Sequence, residues 1–94
     1  MRYETACLVA AHKHSIHNRA EVEASSICVC FSCKEHFPAN TVENWIVEQD
    51  GRSTAWCPFC RVDSVLGDAS GLPIMDFDFV AHMNAHWMTA DAQD

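Results

Sequence analysis

Small and apolar residues return at helical spacing near the start of the chain, at Tyr3, Ala6, Cys7 and Ala10, with no Gly or Pro among them. This predicts an amphipathic helix over 2–13, with Cys7 packed in the core. The polar run from His12 to Asn18 ends it. Asn18, with Glu21 three residues on, has the form of a capping box and predicts a second short helix over 19–25. Ile27 to Phe31 is β-branched and cysteine-rich and reads as a strand running into a turn. Pro38 opens a short helix over 39–45 or an irregular turn. Trp45 and Val47 then alternate with Ile46 and Glu48. Asp50-Gly51 is a hairpin signal that returns the chain as a partner strand over 53–56. A further strand is expected over 62–66, and a loop by composition from Gly67 to Pro73. Asp76 or Asp78 caps a last helix in which Phe79, Val80, Met83, His86 and Trp87 follow helical spacing. The final residues, 90–94, are expected to fray.

Ninety-four residues hold one small domain. Its parts are a helical arm over 1–26, a ribbon over 27–67 and a C-terminal helix over 74–89. The fold class expected is a small α+β domain with its helices on one side of the sheet. Six Lys and Arg oppose thirteen Asp and Glu, a formal charge of −7. A domain that coats phosphate backbone carries a basic stripe instead. The first residues lack the form of a secretion signal, and no stretch approaches the ~18 apolar residues of a membrane span. A cytoplasmic location is expected, where thiols stay reduced.

That compartment changes the meaning of six cysteines. Cys30-Phe-Ser-Cys33 and Cys57-Pro-Phe-Cys60 each place two residues between thiols, a spacing that wraps the chain around one ion. Two such knuckles, returned to each other by the Asp50-Gly51 hairpin, complete a four-thiolate tetrahedron. The expectation is one structural Zn²⁺ per chain on Cys30, Cys33, Cys57 and Cys60, in a zinc ribbon with knuckles on β-hairpins. Iron also suits tetrahedral thiolates. Cys28 competes with Cys30 for the first position, but its four-residue gap to Cys33 wraps the ion less tightly, so Cys28 is expected as a packed thiol.

The same residues carry a resemblance. Cys28-Val-Cys-Phe-Ser-Cys33, Phe37-Pro38, Glu43-Asn-Trp45, Thr54-Ala-Trp-Cys-Pro-Phe-Cys60, Val62-Asp-Ser-Val-Leu-Gly67 and Gly71-Leu-Pro73 are similar to a family of small uncharacterised bacterial cytoplasmic proteins. That family's pattern runs Cys-x-Cys-Phe-x-Cys, then Thr-Ala-x-Cys-Pro-x-Cys, then Asp-Ser-Val. The similarity spans about residues 14–88 and implies a zinc-binding motif and a cytoplasmic setting, with no reaction attached. Two positions depart from it. Phe37 and Pro38 are adjacent where the pattern has Phe-x-Pro, and Arg61 stands where it has Gly, a backbone position a bulky residue must be able to adopt.

The remaining candidates are weaker. His82 and His86 share a helix face at a spacing that can bind a second metal, but no Glu follows His82 as in His-Glu-x-x-His. His14 and His17 approach the ribbon as donors to sulfur or, with Asp63 and Ser64, imitate a hydrolytic set. Trp45, Trp56, Phe31, Phe37 and Phe59 surround the cysteines, most as core and some as exposed aromatic surface. The function expected is a non-enzymatic, zinc-stabilised, acidic protein-interaction module. It would serve as an adaptor or inhibitor, a phage-type antagonist of a host complex being one form, and its surface is compatible with a homodimer. The alternative is a nucleic-acid-binding zinc ribbon, weakened by having only Lys34, Arg52 and Arg61 nearby. The third is a hydrolase-like enzyme using His14 or His17 with Asp63.

Overall fold

A computed structural model of the chain describes residues 3–88. Its helices are α1 (Thr5–His12), α2 (Arg19–Glu23) and α3 (Phe77–Trp87). Its strands are β1 (Ile27–Cys30), β2 (His36–Pro38), β3 (Trp45–Val47), β4 (Ser53–Ala55) and β5 (Val65–Gly67). The fold is α+β, with an antiparallel sheet in the order β2–β1–β5 and a separate β3–β4 hairpin. No helix among the described residues is long and apolar enough to cross a membrane.

β1 explains the layering. Successive side chains of a strand point to opposite faces. On one face Val29 and Phe31 join Leu8, Ala11, Leu66, Ile74, Phe79, Val80 and Met83, the core under α1 and α3. On the other, Cys28 and Cys30 join Val22, Phe37, Val42, Ala55, Cys57 and Val65. Both faces of the central strand are apolar, so both need cover. The helices therefore do not gather on one side, as expected from the sequence. α1 and α3 cover one face, and Val22 of α2 covers the other.

The second core is the poorer one. Three of its eight buried members are cysteines and one is Ala55. The first contains Phe31, Leu66, Ile74, Phe79 and Met83, all within its best-buried set. Each large side chain of that kind contributes about 1.5–3 kcal/mol by burial. The sulfur side cannot match this from packing alone.

Asn18 stands at the N-cap position of α2, but it makes no capping bond there, and Glu21 turns to His14 Nδ1 at 3.0 Å. The expected capping box is absent because the amide serves longer-range partners. Asn18 Nδ2 donates to the carbonyls of Val65 and His14, both at 2.9 Å, and Asn18 Oδ1 accepts from the Ala55 amide at 3.0 Å. Ala55 lies in β4 and Val65 in β5, strands that do not pair with each other. One buried side chain thus links the two sheets.

Close approach explains Gly67. A Cβ there would lie 2.2 Å from Ser25 Oγ, which is itself held by Glu21 O and the Ala69 amide. Gly51 turns the β3–β4 hairpin at φ +88°, a value glycine adopts without steric cost. Asp76 caps α3 by accepting from the Asp78 amide at 2.9 Å.

Other expectations shift. Only a 3-10 turn, Ala39–Thr41, forms in 39–45, and Trp45 already belongs to β3. Residues 62–64 belong to the second knuckle, so β5 begins at Val65. Cys7 is exposed on α1 rather than in the core, which takes Leu8 and Ala11 from that helix. Residues 90–94 lie outside the described residues.

Replacing Asn18 by Ala strands a buried amide and a buried carbonyl on different sheets. The expected cost is about 2–3 kcal/mol in chemical denaturation of the metal-loaded protein.

Candidate metal centre

The two Cys-x-x-Cys segments fold in the same way. After β1, the Lys34 amide donates to the Cys30 carbonyl at 2.7 Å, and the Cys30 amide donates to the Glu35 carbonyl at 3.0 Å. After β4, the Arg61 amide donates to Cys57 O at 3.0 Å, and the Cys57 amide to Val62 O at 3.1 Å. Each knuckle closes on a left-handed residue, Lys34 at φ +65° and Arg61 at φ +64°. Arg61, where the similar pattern has Gly, adopts the glycine-like angle. Lys34, which the sequence marks only by its charge, occupies the equivalent place in the first knuckle, and its position directly after a Cys-x-x-Cys is the same signal.

The knuckles sit differently in the sheets. The first joins the paired strands β1 and β2, a true hairpin. The second leaves β4 in one sheet and leads to β5 in the other. The Phe31 amide, donating to Ser64 O at 3.0 Å, brings that second connection against the first.

All four sulfurs meet between them. Cys30 Sγ lies 3.6 Å from Cys60 Sγ, and Cys33 Sγ lies 3.7 Å from Cys57 Sγ. All four lie within 4.8 Å of one another. A tetrahedron with metal–sulfur bonds of about 2.3 Å has sulfur–sulfur edges near 3.8 Å. A disulfide would hold the atoms at about 2.05 Å. The six cysteines of the chain are all free thiols. The arrangement is consistent with a zinc ribbon, and it is the one group of three or more metal-ligating side chains among the described residues.

Burial and hydrogen bonding act against each other at this cluster. Cys30 and Cys57 are buried and Cys33 and Cys60 half-buried. Burial pushes the Cys30 thiol well above its ordinary range and Cys33 up to about 11. Burial also opposes ionisation of Cys57, but the amides of Cys60 and Phe59, at 3.5 and 3.4 Å from its sulfur, help to leave it below its usual value. Four thiolates in this space repel one another and have left water. A divalent cation at their centre removes both penalties.

Cys28 is outside the cluster. It lies fully buried opposite Phe37, its thiol raised to about 12 by burial and by the nearby Asp68 carboxylate. Cys30, and not Cys28, belongs to the group of four sulfurs.

The histidines are engaged elsewhere. His14 bonds Glu21, and His17 Nε2 donates to Glu48 Oε2 at 2.6 Å. Neither hydrogen-bonds Asp63 or Ser64 among the described residues: Asp63 is exposed, while Ser64 is buried with its carbonyl on Phe31. The hydrolytic set named from the sequence is therefore not brought together by any of these bonds. His82 Nδ1 donates to Asp78 O at 2.6 Å, and His86 stands edge-on to Trp87, so neither joins the sulfur cluster. His36 donates to Ile74 O, and His12 packs on Trp87.

Fewer of the aromatic residues are core than the sequence suggested, and Trp45 is half-buried. Phe31 and Phe37 are buried, while Phe59 is 62% exposed beside Phe37 and Trp56 is exposed at the start of the second knuckle.

No family model, curated protein or solved structure matches the chain. The likeness to the bacterial family is therefore not borne out by any match, and the functional reading rests on the site itself.

The left-handed knuckle residues give a direct test. Arg61→Val, with a β-branched side chain at positive φ, is expected to cost about 1–2 kcal/mol, and Arg61→Gly to remain within about 1 kcal/mol of the parent, both by denaturant titration.

Proposed function

We propose that the chain is a non-catalytic, zinc-stabilised module that binds another protein through its acidic and aromatic surface, as an adaptor or inhibitor in a reducing compartment. The observation that carries this reading is the convergence of four cysteine sulfurs at tetrahedral spacing. A site with four thiolates leaves no open position for substrate or water, which is the arrangement of structural zinc. Cys30, Cys33, Cys57 and Cys60 would hold the ion. Zinc would stabilise the sulfur-side core in which packing is weakest.

The exposed surface supports the second half of the reading. Phe59 and Trp56 stand out beside the knuckles, and the chain carries a formal charge of −7. Aromatic anchors with an acidic surround suit a protein partner that has basic groups.

Elemental analysis of purified protein is expected to give one zinc per chain. Cys30→Ser and Cys57→Ser are each expected to lose the metal and the cooperative fold. Acidification is expected to release zinc, because each ligand must give up a proton to bind, so affinity falls as pH falls. Full-length protein without zinc but with intact tertiary structure would overturn the reading. The interaction half is tested with the Trp56→Ala/Phe59→Ala variant, which is expected to keep its zinc and its fold but lose a specific partner captured by the parent. Equal capture by both would remove the aromatic surface from the proposal.

A further inference from the structure

The strand edges are not equally protected. On β2, Pro38 has no amide to offer a neighbouring strand, a feature confined to sheet edges. On β5, Val65 O is taken by Asn18 and Gly67 O by Ser70 Oγ. On β4, the outward amide of Ala55 is taken by Asn18. Among the described residues, β3 has no such cover.

The register shows which groups β3 presents. Trp56 N donates to Asn44 O at 3.2 Å and Glu48 N to Arg52 O at 2.9 Å, on either side of the Ile46–Thr54 pair. Bonded and unbonded positions alternate along an antiparallel pair. Asn44, Ile46 and Glu48 thus bond inward, and Trp45 and Val47 turn their amides and carbonyls outward. Among the described residues no strand lies on that side. Val47 is 63% exposed, and Trp45 and Ile46 are half-buried. Beside the edge, Trp45, Val42, Val22, Ala39 and Arg19 line a groove of about 350 Å³.

The charges around this edge are mainly acidic. Glu43 precedes the strand and has no cationic partner among the described residues. Glu48 follows it and, among the described residues, is met only by His17. Asp50 is matched by Arg52, and Arg19 by Glu23 while it lies over the Trp45 ring. A second copy pairing here in antiparallel fashion would bring Glu43 of one chain toward Glu48 of the other, between chains that each carry −7.

We propose that β3 is a docking edge, on which an extended, lysine- or arginine-bearing segment of a partner protein adds as the third strand of the β3–β4 sheet. Main-chain bonds to Trp45 and Val47 would give affinity, and Glu43 and Glu48 would select a basic sequence. This rests on the reading of the chain as an interaction module and names a surface and a partner chemistry for it.

The test uses zinc-loaded, isotopically labelled protein of full length. The probe is a short peptide alternating Lys with Val and Thr, and the comparison is the same peptide with Glu for Lys. At saturation, amide exchange at Trp45 and Val47 is expected to slow by about tenfold or more, while Ile46, already bonded, changes little. The Glu peptide is expected to bind at least about tenfold more weakly, and the Lys peptide to weaken as salt is raised. Val47→Pro removes one outward amide and no inward bond, and is expected to abolish binding. Glu43→Lys, an exposed change that leaves the strand intact, is expected to weaken it and serves if the proline variant does not fold. No binding of the Lys peptide at millimolar concentration overturns the proposal. Protection at Trp56 and Phe59 in place of Trp45 and Val47 overturns it too, and leaves the interaction module standing. Protection at Trp45 and Val47 that rises with protein concentration alone assigns the edge to a second copy and overturns the basic partner.

Discussion

Two sheets that share no strand pairing are held in register by four sulfur atoms. β4 and β5 are consecutive strands, yet they lie in different sheets. The chain between them is the second knuckle, and its two sulfurs meet the two sulfurs that flank the β1–β2 turn. Without a cation this meeting is unfavourable, because ionised thiols repel and buried thiols resist ionisation. With a cation the same proximity becomes attractive. The sign of the contact that joins the sheets would therefore depend on occupancy by metal, and stability would be coupled to metal binding.

The rest of the molecule is arranged around that dependence. The helical side carries the large apolar side chains and is closed by α1 and α3. The sulfur side is lined mainly by valines and cysteines and relies on directed bonds, chief among them the Asn18 amide. Such a group is favourable only when both of its ends are satisfied, and here they are: among the described residues no buried side-chain polar atom lacks a partner. Metal and amide act on the same gap, one through charge and the other through hydrogen-bond geometry.

Much of this was readable in the residues, for physical reasons. The Cys-x-x-Cys spacing dictates a tight turn, and the Asp50-Gly51 pair dictates a hairpin, so the metal centre and the β3–β4 sheet were legible. Helical periodicity and Asp76 marked α3. What was not legible depended on distant neighbours. Asn18 looked like a local cap because Glu21 stood three residues away, and nothing in its vicinity pointed to Ala55 or Val65. Gly67 read as a loop residue, though it is a strand residue made small by Ser25. The pairing of β5 with β1, and not with β4, is a long-range choice that no local pattern encodes. The two-sided burial of β1 was hidden by its cysteines, which read as metal chemistry on one face and concealed an ordinary apolar alternation on both.

That alternation has a consequence for how the chain reaches its native state. A slip of β1 by a single residue would turn Phe31 and Val29 toward the thiols of the second knuckle and carry Cys30 into the space beneath α3. No ion could then be gripped, and the Phe31 ring would leave the helical core. A bound ion would thus act as a proofreader of strand alignment. Only the correctly threaded chain would capture it, and capture would remove the misaligned alternatives from the population.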